Sequence, residues 1–450
     1  MKTTVAVEKN NPKVLNAWCS YDWANSVYNL TVTSAIFPVY YSAATSAPPP
    51  NGYGKNTDGL TMVNFLGMSF DNQVLYSYAI SASFLMVALL APLLSGIADY
   101  SGQKKRFMQF FTYLGSMACL GLYFFVGRNI EYGILCAFLA SVGYAGSLVF
   151  YNGFLPQIAT PDQMDRISAR GFSMGYLGSV LLLVLNLVII FYHTTFGFAS
   201  EGTATRFSFL TVGIWWIGFA QIAFYYLHDI PTNHPMNAGI LTKGFQELRK
   251  VFGKVRDSAS TFRYLLGFFF WSMGVQSIML LAPFFGERTI GMAGTEMIAI
   301  VLILQLVAIP GAMLFSRLAM RISNTTSIAI AIAIWMAICV AAYFVQTKTE
   351  FYILAAFVGI VMGAIQSVSR STYAQLIPQT TTDTASYFSL YDVTEKLAIV
   401  IGTFTYGRVL EVTGNVRLSA LTMGIFFVLG ILFLFAARLP RRVSDAVTAE

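Results

Sequence analysis

Phe154-Leu155-Pro156-Gln157, followed by Gly171-Phe172-Ser173, returns later in the chain as Leu376-Ile377-Pro378-Gln379 followed by Tyr387-Phe388-Ser389. Each copy closes one long apolar segment and opens the next. Outward from these copies, apolar segments fall near 18–41, 76–98, 107–127, 132–155, 171–193 and 207–228, then near 262–285, 296–316, 328–345, 351–376, 387–409 and 418–437. Each is long enough to cross a bilayer as a helix, which takes about 20 residues. Six segments separate the two copies, so corresponding segments cross in the same direction and the chain reads as a parallel repeat. The expected fold class is an all-α polytopic membrane protein with twelve transmembrane helices in two six-helix bundles. The bundles span 1–228 and 262–450, and the linker over 229–261 carries an amphipathic helix in which Phe245, Leu248, Val251, Phe252 and Val255 recur at helical spacing between basic residues; a solvated linker whose charges only enforce topology is the other reading.

Composition agrees with that reading. Of 450 residues, 56% are hydrophobic and 11% charged, with mean hydropathy +0.63, where a soluble domain carries about 25% charged residues. A soluble protein, a disordered chain and a nucleic-acid partner are thereby excluded. The net charge of +7 reports topology. Lys9 and Lys13, Lys104 to Arg106, Arg166 and Arg170, the linker cations, Arg317 and Arg321, and Arg438 lie on the side of the termini. The opposite loops hold Lys55, Arg128, Arg206, Arg288, Lys348 and Arg417. This asymmetry places both termini in the cytoplasm, and a bacterial inner membrane fits. Lys2, Lys9 and Lys13 precede a segment broken by Asp22, Asn25 and Asn29, a poor signal-peptide core, so a retained first helix is expected. Pro48-Pro49-Pro50 and Asn51-Gly52 mark the first outer loop as an irregular excursion.

Cys19, Cys119, Cys136 and Cys339 show no CxxC pairing, and His193, His228 and His234 form no HExxH pair, so no metal and no cofactor is expected. There is no GxxxxGK[ST] loop and no convincing nucleophile and base, so the chain is not read as an enzyme.

Polar stripes through apolar segments carry the functional reading. Asp22, Asn25, Ser26 and Asn29 lie at i, i+3, i+4 and i+7, one face of the first helix. A charge at the bilayer centre costs about +2.5 to +3.5 kcal/mol on insertion scales, so such a face looks into a cavity or onto a partner. Asp22 suits a substrate ammonium or a proton; a fixed ion pair near the cytoplasmic mouth is the competing reading. Gln366, Ser369, Arg370 and Tyr373 repeat the spacing in the tenth segment. The Arg370 fork suits a substrate carboxylate, and pairing with Asp22 or Asp392 as a gate is the alternative. Tyr151 and Asn152 offer neutral hydrogen bonding in the fourth segment, with plain packing as the alternative, and Trp271 and Gln276 an aromatic wall and an amide in the seventh, where core packing is the favoured use of Trp271. Asp392, Glu395 and Lys396 lie within one turn of one another with one net negative charge, which makes the two acids proton-coupling candidates alongside Asp22; a structural salt-bridge cluster is the other reading.

Between the second and third segments, Ser95-Gly96-Ile97-Ala98-Asp99-Tyr100-Ser101-Gly102-Gln103-Lys104-Lys105-Arg106 resembles the GxLADxxGRK signature of the major facilitator superfamily, with Ser95 at its first glycine and Gln103 at its first basic position. More specific are Trp18-Cys-Ser-Tyr21-Asp22-Trp23-Ala24-Asn25-Ser26, Tyr151-Asn152-Gly-Phe-Leu155-Pro156, Gln366-Ser-Val-Ser369-Arg370-Ser371-Thr-Tyr373 and Phe388-Ser-Leu-Tyr391-Asp392-Val-Thr-Glu395-Lys396. Together they are similar to the "unknown major facilitator" family that includes the autophagy-related vacuole effluxers of fungi. The resemblance implies helices around one central path, alternating access and, in the fungal members, export of amino acids. Asp99, Gly102, Lys104, Lys105 and Arg106 are then expected to gate, through pairs made in the outward-open state alone.

The expected function is secondary transport of a small polar solute, amino acids first, with the proton as coupling ion and membrane lipid as the surrounding partner. The alternatives are an exporter of hydrophobic cations or drugs, which would tolerate loss of Arg370, and a non-transporting receptor.

Overall fold

A computed structural model of the chain describes residues 8–46, 61–230, 232 and 239–439. Helix α1 (Pro12–Val27) passes through a π-helical stretch (Tyr28–Ile36) into α2 (Phe37–Ser46). A hairpin of β1 (Met62–Phe65) and β2 (Met68–Asp71) leads to α3 (Asn72–Ser101), α4 (Lys104–Leu122), α5 (Ile130–Ile158), α6 (Pro161–Phe191) and α7 (Glu201–Tyr226). The linker folds into α8 (Ile240–Asp257). There follow α9 (Ala259–Phe285), ending in a π-helical stretch (Gly286–Ile290), and α10 (Gly294–Arg321), α11 (Asn324–Phe344), α12 (Lys348–Leu376), α13 (Thr384–Thr413) and α14 (Val416–Ala436). Counting the run from α1 to α2 once and leaving out α8, the described residues hold six long helical segments before the linker and six after it.

Eight helices, α3, α5, α6, α7, α10, α11, α12 and α14, are long and apolar enough to cross a membrane. Their ends follow local chemistry. Asp71 accepts the amides of Gln73 and Val74 at the start of α3, and Gly102, at φ 62°, ends it in the left-handed conformation. Thr347 and Glu350 form a reciprocal cap on α12. Pro161 opens α6 ten residues before its apolar run begins, because Asp162, Asp165, Arg166 and Arg170 occupy its first turns.

The two sets of six meet in a pseudo-symmetric way. From the first set, α3 and α5 pack on α13; from the second, α10 and α12 pack on α6. All four cysteines are buried as packing residues.

Three expectations change or fall outside. The first outer loop is not wholly irregular: Leu66 and Gly67, both at positive φ, close the two-stranded hairpin just before α3. The fifth helix begins earlier than its apolar pattern. Pro48 to Pro50, Asn51, Gly52, Lys55, Lys2 and His234 lie outside the described residues.

Candidate functional site

The Asp22 and Arg370 side chains meet between the two sets. Asp22 stands ten residues into α1, about 15 Å of helical rise from its start, and Arg370 one and a half turns before the end of α12. Both guanidinium Nη atoms reach Asp22 Oδ2 at 3.2 Å, and the Tyr151 hydroxyl donates to the same oxygen at 2.8 Å. Arg370 Nε donates to Ser168 Oγ and Nη2 to the Ser168 carbonyl, each at 2.9 Å, while Nη1 reaches Asn152 Oδ1 at 3.4 Å. Arg370 Cζ lies 4.0 Å from the Phe172 ring centre and 4.8 Å from that of Trp18. Asp22 and Arg370 are 4% and 3% exposed, so both charges are desolvated and their cost is offset by this full set of partners. Gly171 makes the fit possible. A Cβ there would lie 2.5 Å from Asp22 Oδ2 and 3.0 Å from Arg370 Nη2.

On the α8 side of this pair, the first helix-helix turn of each set meets the other set. Asp99 Oδ1 and Oδ2 accept the amides of Ala385 at 3.2 Å and Ser386 at 2.7 Å, so a carboxylate of α3 caps α13. Lys104 lies 3.7 Å from Asp99 and donates to Thr384 Oγ1, whose hydroxyl bonds the Gly153 carbonyl at 2.6 Å. The matching place in the second set is the junction of α10 and α11. There Asn324 donates at 2.9 Å to Asp165 Oδ1, which also accepts from Ser371 Oγ at 2.5 Å. Ser168 Oγ donates to the Ser367 carbonyl at 2.8 Å. Lys105 N–H donates to Asp229, whose burial pushes its carboxyl above the usual carboxylate range. Arg106 bonds only its neighbour Gln103 among the described residues.

On the other side of the pair the polar stripes continue. Asn29 is exposed seven residues beyond Asp22. Tyr176 donates to Gln366 Oε1 at 2.6 Å across the two sets. Lys396 lies 3.2 Å from Asp392 and 3.6 Å from Glu395, and its ammonium stands 5.4 Å from the centre of the Phe84 ring of α3. Gln276 donates to Glu395 Oε1 at 2.9 Å. Asp392 Oδ2 and Asn25 Nδ2 are buried with no hydrogen-bond partner among the described residues.

The structure thus brings together Asp22, Tyr151, Asn152 and Arg370, and separately Gln276, Asp392, Glu395 and Lys396. It does not bring Trp271 or Tyr373 to either group. Trp271 is buried between Tyr264, Phe268 and the Gly430 backbone, and the Tyr373 hydroxyl donates to the Tyr387 carbonyl inside the second set. Asp165, Asn324 and Thr384 join the site without having been singled out, and Ser168, Phe172 and Ser371 without having been given a role. Asp165, three residues before Ser168, lay in a stretch too charged to read as span. No cluster of metal-ligating residues occurs among the described residues.

Residues 10–447 match the family described as vacuole effluxer Atg22 like. The MFS-type transporter YxiO of Bacillus subtilis is 30% identical over 98% of this chain and 98% of its own length. Autophagy-related protein 22 of Yarrowia lipolytica is 23% identical over 81% of this chain and 75% of its own. Among solved structures, the human organic anion transporter MFSD10 superposes with a TM-score of 0.73 at 11% identity, covering 95% of this chain and 100% of that one.

Proposed function

The chain belongs to the Atg22-like vacuole effluxer family and is an integral membrane transporter of the major facilitator type, and from that premise we propose that it moves amino acids by proton-coupled alternating access. The observation that carries this reading is the buried pair of Asp22 and Arg370, one charge from each set of six helices. An amino acid is a zwitterion with the same two charges. Its ammonium replaces Arg370 at Asp22, and its carboxylate takes the Arg370 fork in two parallel hydrogen bonds. A direct tie between the halves becomes a tie through the substrate. Asn25, Asn29 and Gln366 line the approach, Tyr151 and Asn152 orient the two charges, and the family's description as vacuole effluxers agrees with export.

The proton enters the reading through the second cluster. Asp392, Glu395 and Lys396 sum to one net negative charge, and one Asp392 oxygen has no donor among the described residues. Taking up a proton there removes that charge and supplies a donor. The halves are 1–228 and 262–450. The α8 side is the cytoplasmic side of a bacterial inner membrane, supported by its excess of basic residues and by the bacterial relative. With Asp99 capping α13, Lys104 on Thr384, and Gly102, Lys105 and Arg106 shaping the turn, this side is held closed.

Counterflow in proteoliposomes loaded with pooled amino acids, read by entry of labelled tracers, tests the reading. Entry is expected for the wild type and lost in Asp22→Asn and in Arg370→Gln. Undiminished transport in both variants overturns the role of the pair. Absence of entry for folded, inserted protein overturns the amino-acid cargo and turns the search to hydrophobic cations, whose transport survives loss of Arg370. A second reading, in which the pair is only a lock, is favoured by the full set of bonds to Arg370. It predicts that Arg370→Gln alters the rate of exchange and not the affinity for amino acids.

A further inference from the structure

Helix α3 carries an exposed apolar face. Tyr78, Leu85 and Leu89 lie at i, i+7 and i+11 and are 60%, 60% and 69% exposed, so in a membrane-spanning helix this face meets lipid chains. Seven residues beyond Leu89 the same face reaches Gly96, and there α8 covers it. A Cβ on Gly96 would run into the Gly244 backbone, and one on Gly244 would lie 3.0 Å from the Ile97 nitrogen and 3.2 Å from the Leu93 carbonyl. The linker helix therefore lies across the lipid-facing side of α3 where that span ends, at headgroup level.

Three faces of α8 have different surroundings. Gly244, Val251 and Val255 are buried. Lys250 and Lys254 reach Asp383, just before α13, at 3.3 and 3.6 Å. Between the buried face and the remaining surface runs a stripe of Leu241, Phe245 and Phe252, exposed although apolar. Beside that stripe stand Arg249 and Arg256, two turns apart and both exposed; Arg256 has a loose contact of 3.8 Å with Asp257, and Arg249 has no hydrogen bond or ion pair among the described residues.

We propose that this face of α8 is a binding site for anionic phospholipid, with Leu241, Phe245 and Phe252 entering the acyl boundary and Arg249 and Arg256 taking the phosphate groups. Two things select lipid as the occupant: the stripe continues the lipid-facing side of α3, and the cations border it on the side turned away from the protein. The opposite face of the same helix holds Asp383, so lipid bound on one side steadies the contact that keeps the α8 side closed.

The test uses the full-length chain purified in detergent and titrated with phosphatidylglycerol or with phosphatidylcholine of the same acyl chains, bound lipid being counted by native mass spectrometry. The wild type is expected to retain phosphatidylglycerol preferentially. Arg249→Gln with Arg256→Gln weakens that retention by about fivefold per arginine and leaves phosphatidylcholine unchanged, while Lys243→Gln, on the far side of the helix, alters neither. An unchanged thermal midpoint shows that the arginine variant is folded. Equal retention of the two lipids by the wild type, or an undiminished preference in the arginine variant, overturns the proposal. So does a dimer of the chain that dissociates on Phe245→Ser with Phe252→Ser, since a second copy then occupies the stripe.

Discussion

Arg370 is held by Asp22, Ser168 and Asn152 through hydrogen bonds and by Phe172 and Trp18 through cation–π contacts, and only a guanidinium satisfies all of them together. Removing one member of a buried ion pair leaves the other charge uncompensated, at a cost of about 3–5 kcal/mol. Arg370→Gln and Asp22→Asn should each destabilise the purified protein to that extent, and the double variant by less than the sum of the two. Unfolding midpoints arranged as a double-mutant cycle check this, and additive losses would mean that the two charges do not interact. Arg370→Lys should restore only part of the loss, because a single ammonium cannot replace the bonds of three guanidinium nitrogens to Asp22, Ser168 and Asn152. The two charges were legible because each sits on a polar stripe at i, i+3, i+4 and i+7 through apolar sequence. Their acceptor Ser168 stands on no such stripe, and its partner lies 202 residues away. Asp165 was hidden by its own neighbours: Asp162, Arg166 and Arg170 make Pro161–Arg170 look like loop, and only packing against α11 and α12 buries its carboxylate.

At the scale of elements, the cap that α3 places on α13 ties one set of helices to the other by backbone amides. Asp99→Ala leaves the Ala385 and Ser386 amides and the Lys104 ammonium without this acceptor, and each buried group so stranded costs about 1–3 kcal/mol. The closed α8 side should lose population. Ser386→Cys supplies a reporter, because that side chain is buried, its hydroxyl has no hydrogen-bond partner among the described residues, and the native cysteines are buried. Maleimide labelling at 386 should be slow alone and markedly faster together with Asp99→Ala; equal rates would show that the cap does not hold the side shut. The π-helical stretch Tyr28–Ile36 has a local origin: Pro38 has no N–H to give the Ser34 carbonyl, and the ladder widens in the turns before it. Pro38→Ala should let the ladder return to α-helical spacing and raise the thermal midpoint, and an unchanged midpoint would place the cause of the widening elsewhere. The twelve long helical segments were legible from apolar length alone, and the amphipathic linker helix from its period. The hairpin was not, because its turn sets Leu66 at φ 50°, a residue that turn rules do not lead one to expect there.

For the whole molecule, repeated motifs and basic asymmetry are properties of the entire chain and so could be read before any contact was known. Which charge meets which across the two halves depends on the conformational state, and that state is visible only in three dimensions: Asp22 with Arg370, Asp99 with the start of α13, Asp383 with Lys250 and Lys254. If transport proceeds by opening this side, every one of those contacts must break once per cycle. Lys250 also bonds Glu247 at 2.9 Å, and that bond together with Asp383 holds its ammonium above the usual lysine range, so it stays charged at neutral pH. A cross-link between α8 and the start of α13 therefore tests the cycle directly. Lys250→Cys with Asp383→Cys, joined by a short cleavable bis-maleimide, should stop counterflow, and cleavage of the linker should restore it. Each single substitution treated with the same reagent should remain active, since the native cysteines are buried. Transport that continues undiminished through the cross-linked protein would mean that the α8 side stays shut while substrate passes, and a rocking motion of the two halves could then not be the mechanism.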